Sequence, residues 1–192
     1  MDFVKLFTDS FLPTLSKESL DKFRALVNLK EYKKDDNIIC EGQIPTKFYI
    51  LKSGIVRSFI LDSKGKEHTR TLYIPITTSG ALSSLIKKTP SNATYSCLTD
   101  CEILEGNYSD FLNLTTENHD LSLFYNKVLE RIFNRTEKKV FELSVLDAKE
   151  RYLKLKREVK DIDNLIPQYH IASYLNITPV QLSRIRKELY SK

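Results

Sequence analysis

The apolar positions fall into three regimes along the chain. Between residues 3 and 29, Leu15, Leu20, Phe23, Leu26 and Val27 recur at steps of about three or four, which predicts two short helices. Ser16, with Ser19 behind it, suits the start of the second helix. From residue 30 to about residue 106 the pattern changes to short β-branched and aromatic runs at 37–40, 47–51, 55–61, 69–74, 94–98 and 102–105. Asp62-Ser63-Lys64-Gly65-Lys66 separates two of these runs and reads as a hairpin loop, with Gly65 supplying the positive φ. Strands at this spacing predict an antiparallel sandwich or barrel.

Beyond Gly106 the helical period returns. Leu121, Phe124, Val128, Ile132 and Phe133 form an apolar stripe, continued by Val140, Phe141 and Leu143 after a polar interruption at 134–139. A helix of this length exceeds what one small domain buries, so the stripe is expected to meet a copy of itself; packing on the chain's own β unit is the alternative. A basic helix follows at 148–159, then a loop at 161–164.

The final segment carries the chemistry. Pro167 suits a first helical position and Asn176 the left-handed conformation that ends a helix. Thr178 can cap a second helix that opens at Pro179. Ile171, Ala172, Leu175 and Ile177 would face Leu182, Ile185 and Leu189, leaving Val180, Gln181, Arg184 and Lys187 outside. This spacing is that of a helix-turn-helix, whose second helix enters the major groove of DNA; a plain αα-hairpin is the alternative. Arg184 suits guanine O6/N7 and Gln181 adenine N6/N7, whereas Thr178, Ser183, Arg186 and Lys187 suit phosphates.

Charge sharpens this division. The 192 residues carry a net charge of +5, yet residues 1–150 hold 21 basic and 21 acidic side chains, so the whole excess lies in the last 42 positions. Such asymmetry points to a polyanionic partner at that end. The longest apolar run is four residues, 48–51, against about 20 for a bilayer span, and the N-terminus lacks the pattern of a secretory signal. Three cysteines, an odd number, fit reduced thiols in a cytoplasm. No glycine-rich phosphate loop, HExxH pair or nucleophile elbow is present, so no catalytic residue is assigned and no enzyme is expected.

The order of these parts resembles the Crp/Fnr family of bacterial transcription regulators. Lys33-Lys34-Asp35-Asp36 leading to Glu41-Gly42, then Phe48-Tyr49-Ile50-Leu51-Lys52-Ser53-Gly54-Ile55-Val56, look like the family's entry strands and turn glycines. The resemblance implies an α+β chain: an antiparallel β-roll of the cyclic-nucleotide-binding type, a double-stranded jelly roll, at 1–112, a dimerisation helix at 113–146, and a helix-turn-helix lacking a full wing at 147–192. It further implies a homodimer, double-stranded DNA and RNA polymerase as partners, and no membrane.

The family's cyclic-AMP binders place Phe-Gly-Glu at the ribose and an Arg ten residues after that Glu at the phosphate. Here the segments read Ser79-Gly80-Ala81 and, ten residues on, Ser91, so both charged contacts are missing and cyclic AMP is not expected to bind tightly. Ser79, Gly80, Ala81, Ser83, Ser91 and Asn92 remain as a candidate pocket for an uncharged or weakly charged effector of unknown identity; a cavity filled by side chains that senses nothing is the alternative. Cys40, Cys97 and Cys101 are too few for the all-cysteine iron–sulfur cluster of another branch, so neither cluster nor metal is expected. A regulatory module that binds protein rather than DNA is the competing reading.

Overall fold

The structure is a computed structural model describing residues 2–190. Two helices lead in, α1 (Phe3–Asp9) and α2 (Lys17–Leu26). Their first turns are capped as the sequence predicts for the second: Asp2 accepts the Lys5 N–H and Ser16 the Ser19 N–H. Eight strands follow: β1 (Val27–Tyr32), β2 (Asn37–Ile39), β3 (Lys47–Ser53), β4 (Val56–Leu61), β5 (Glu67–Tyr73), β6 (Thr77–Ser79), β7 (Thr94–Cys97) and β8 (Cys101–Asn107). A short helix, α3 (Leu82–Lys87), lies between β6 and β7.

The strands form two four-stranded antiparallel sheets, ordered β1-β8-β3-β6 and β2-β7-β4-β5. Between them sits a core that includes Leu51, Val56, Ile103 and the rings of Tyr32, Tyr49, Tyr73 and Tyr95. The β4–β5 hairpin turns at Gly65, φ +75°, as expected. Gly54 has φ +90°, and a Cβ there would stand 2.4 Å from the Asp100 carbonyl oxygen, so two corners of the roll touch at a place only glycine permits.

Two strands differ from the sequence reading. β1 exposes four of its six residues, so no alternating apolar pattern marks it, and β6 is a three-residue polar strand held by pairing to β3. Both owe their state to neighbours rather than to their own apolar content.

After the roll come α4 (Tyr108–Glu117) and the 27-residue α5 (His119–Val145), continuous through the polar stretch at 134–139. The stripe on α5 divides, which corrects the expectation that it meets a copy throughout. Leu121, Phe124, Val128 and Ile132 pack into a core with Phe7, Phe23, Ile50 and Phe111 of the same chain. Phe133, Val140 and Phe141 lie on the opposite side and are 57–62% exposed.

The chain ends in α6 (Ala148–Glu158), α7 (Ile162–Leu165), α8 (Gln168–Tyr174) and α9 (Pro179–Tyr190). The segment expected as a loop at 161–164 forms α7, entered through Asp161 at φ +57°. Ile162 and Ile166 anchor it in a core shared with Tyr152, Leu155, Ile171 and Leu182.

Candidate nucleic-acid interface and sensor cleft

The turn between α8 and α9 is built by local sequence chemistry. Asn176 takes φ +56°, and the Ile177 N–H donates to the Ala172 carbonyl at 3.0 Å, closing α8. Thr178 then accepts the Gln181 N–H at 3.1 Å and opens α9 at Pro179. Ile171, Ala172, Leu175, Leu182 and Ile185 are buried between the helices, with Ile177 and Leu189 beside them. Arg151 on α6 donates to the Leu175 carbonyl at 3.1 Å, so a cation satisfies the end of α8.

This packing leaves Thr178, Val180, Gln181, Ser183, Arg184 and Lys187 exposed along one side of the unit. Arg186 departs from its expected place among the phosphate contacts. It neighbours the buried Ile185, is only 25% exposed, and lies 3.8 Å from Asp163. Asp163 accepts the Tyr152 hydroxyl at 2.7 Å and pairs with Lys156 at 3.1 Å, so Arg186 faces this carboxylate as a more distant charge, its buried Nη1 without a hydrogen-bond partner among the described residues. Lys149 pairs with Glu188 at 3.1 Å, whereas Arg157, Lys160, Arg184 and Lys187 are exposed with no ion-pair partner among the described residues. The basic excess is thereby concentrated on few side chains; Lys192, counted in it, lies outside the described residues.

The C-terminal unit also rests on the roll. Ile55, Leu72 and Leu98 enter its core, and the Thr69 N–H donates to Ser173 Oγ at 2.8 Å. His170 is buried in this contact, its Nδ1 has no hydrogen-bond partner among the described residues, and burial pushes its pKa down to about 4. Lys139 of α5 donates to the Tyr174 carbonyl at 3.0 Å and sits 3.5 Å over that ring; burial draws its pKa down to about 8.

A cleft of about 980 Å³ opens between the roll, α5 and α8. Of the candidate pocket residues, Gly80, Ala81, Ser83 and Asn92 line it. Ser79 instead faces a separate small cavity that Gly80 also borders. Ser91 is buried, its hydroxyl donating to the Ala93 carbonyl at 2.7 Å and accepting the Ala93 N–H, so it holds its own loop. Sequence reasoning missed Arg70 of β5 and Arg135 of α5, both of which line the cleft. Arg135 lies 4.9 Å over the Tyr73 ring and donates to Thr77 Oγ1 at 3.3 Å. Only the fold places these arginines together, because 65 positions of chain separate them.

The two positions at which the cyclic-AMP contacts are expected carry neither charge. Ala81 offers no carboxylate to a ribose, and Ser91 offers no cation to a phosphate while its hydroxyl is engaged. Cys97 and Cys101 are buried and Cys40 is exposed, and no three potential ligands of the His, Cys, Asp and Glu types gather at a metal-binding distance among the described residues. Nor is any helix among them long and apolar enough to cross a membrane.

Residues 29–118 match the family model of the cyclic nucleotide-binding domain. The chain is similar in fold to FixK2 from Bradyrhizobium japonicum, at 18% identity and a TM-score of 0.72, covering 86% of this chain and 85% of that one. It is similar likewise to CLP from Xanthomonas campestris, a regulator described as responsive to c-di-GMP, at 16% identity and a TM-score of 0.70 over 92% of each chain. The catabolite activator protein of Thermus thermophilus aligns at 23% identity with a TM-score of 0.58, covering 93% of this chain and 85% of that one. No curated protein matches the sequence. The fold is thus a cyclic-nucleotide-binding-type β-roll followed by a long helix and a C-terminal helical unit. The same architecture is shared by a solved structure described as a putative transcriptional regulator of the Crp/Fnr family from Eubacterium rectale, at 15% identity and a TM-score of 0.70, covering 92% of this chain and 84% of that one.

Proposed function

We propose that this chain is a homodimeric, sequence-specific DNA-binding transcription regulator of the Crp/Fnr type, acting in the cytoplasm. The observation that carries this reading is the amphipathic build of α9. Leu182 and Ile185 are buried against α8, while Gln181, Arg184 and Lys187 project from the outer side of a helix capped by Thr178. A second helix presented in this way across a tight turn suits entry into a major groove, with Gln181 and Arg184 on base edges and Thr178, Ser183 and Lys187 on phosphates. Val180, at the start of α9 and 61% exposed, suits contact with a thymine methyl.

Dimerisation supplies the second half-site. The exposed side of α5, with Phe133, Val140 and Phe141, is an apolar strip on a helix whose other side is already buried, and a parallel copy of the same helix would cover it. Two α9 helices would then address half-sites about 34 Å apart. Contacts to RNA polymerase follow from the family reading.

The regulator is further proposed not to respond to cyclic AMP, on the strength of Ala81 and Ser91. Calorimetry with cyclic AMP checks this, and micromolar or tighter binding would contradict it. The DNA reading is tested by a salt series with duplex DNA: affinity should fall steeply as salt rises, because bound phosphates release counterions. A module that uses the roll to bind protein would show no such dependence.

A further inference from the structure

A second cavity, of about 80 Å³, lies between the roll and the helices that cover it. Among the described residues it shares only Gly80, Leu82, Ile132 and Arg135 with the cleft. Its wall is largely aromatic and aliphatic, with Phe48 from β3, Phe111 from α4, and Phe124 and Val128 from α5. Into this apolar surround β6 brings Ser79, which is 7% exposed and whose Oγ has no hydrogen-bond partner among the described residues. Tyr108 and Tyr125 also line the cavity, their hydroxyls 2.6 Å apart. One hydrogen bond between two hydroxyls uses only one of their two protons.

A void in a packed core and an unpaired buried hydroxyl each destabilise a fold. Here the two coincide, and a single guest molecule would relieve both. We propose that this cavity is a binding site for a small neutral molecule with an apolar body and one hydroxyl or carbonyl oxygen. The oxygen bonds Ser79, which both donates and accepts, and the body fills the space between Phe124 and Val128.

Charge and size narrow the class. Arg135 is the one charged residue among the described residues that line the cavity, and its guanidinium is engaged with Thr77 and the Tyr73 ring. The rest of that wall is uncharged, so an ionised ligand would have at most this one charged partner, whereas a neutral ligand loses less on leaving water. The volume is about half that of an engineered dry cavity of about 150 Å³ that admits benzene, which limits the body to a few heavy atoms. Because the walls come from β6 and from α5, an occupant would touch both the roll and the long helix. The proposal stands apart from the DNA-binding reading, since occupancy is measurable without DNA.

The test is methyl NMR on the full chain with isobutanol as probe, xenon as a purely apolar probe and isobutyrate as a charged one. Isobutanol should give saturable shifts confined to the methyl groups that line the cavity, those of Ile50, Thr78, Leu82, Leu85, Val128 and Ile132, and isobutyrate clearly weaker ones. Ser79→Ala should weaken isobutanol about three- to tenfold, the worth of one neutral hydrogen bond, and leave xenon unchanged. Val128→Leu, one methylene larger, narrows the same space and should weaken both neutral probes, which keeps the test intact if the serine variant folds poorly. Linear shifts spread over exposed methyls, equal binding of isobutyrate, an unchanged isobutanol affinity in a folded Ser79→Ala variant, or unchanged affinities in Val128→Leu would each overturn the proposal.

Discussion

The Ser173 hydroxyl on α8 accepts the Thr69 backbone N–H of β5 at 2.8 Å. β5 is an edge strand, so a side chain of the C-terminal unit satisfies a donor that no neighbouring strand can reach. Replacing Ser173 by Ala should cost about 1 kcal/mol, and should speed hydrogen exchange at the Thr69 amide more than at amides inside the roll. An unchanged Thr69 exchange rate would show that the unit is not fastened at this point.

The same contact should be sensitive to acid. Burial lowers the His170 pKa to about 4, beneath the ordinary value near 6.5. Below 6.5 the unfolded or undocked chain binds a proton that the docked form refuses, so stability falls as pH drops and is progressively lost between about 6.5 and 4. Thermal unfolding from pH 7.5 to 4.5 should show this slope, and His170→Gln should flatten it. A slope in that window unaltered by the substitution would assign it to other groups.

Phe133 and Phe141 are 62% and 59% exposed on the outer side of α5. Changing both to Glu should leave the fold intact, because neither belongs to a buried cluster, while sedimentation should show a dimer of the parent chain become a monomer. A parent chain that sediments as a monomer at micromolar concentration would refute the proposed use of this strip.

Arg184 and Lys187 should behave differently on DNA. Arg184→Ala is expected to cost about 1–3 kcal/mol on the preferred site and to relax preference at one base pair. Lys187→Ala should weaken binding to all sequences alike and make the salt dependence shallower. Arg186→Ala should instead lower stability, because its partner Asp163 also accepts the Tyr152 hydroxyl and pairs with Lys156. If Arg184→Ala leaves affinity and base preference untouched, the orientation assigned to α9 is wrong.

The sequence made the C-terminal turn legible because its signals are local. Asn176, Thr178 and Pro179 each specify a backbone state within a few residues, and the structure shows all three. Gly65 was legible for the same reason, whereas Gly54 was marked as a corner by the family resemblance. What escaped the sequence is set by distant partners. β6 is a strand only because β3 pairs with it, and the division of the α5 stripe depends on where α1, α2 and α4 lie. Arg186 looks like any other basic residue of α9 until Asp163 is seen on its inner side. Arg70 and Arg135 carry no local motif at all, and reach the cleft from a strand edge and a helix far apart in the chain.

The most direct test of the central claim is selection of bound sequences from random duplex DNA by the purified chain at physiological salt. The account predicts enrichment of an inverted repeat whose half-sites are centred about ten base pairs apart, one helical turn. It also predicts that Arg184→Ala will lose preference at one symmetric pair of positions. Recovery of DNA with no enriched motif, or of the same motif from the parent chain and Arg184→Ala, would contradict it.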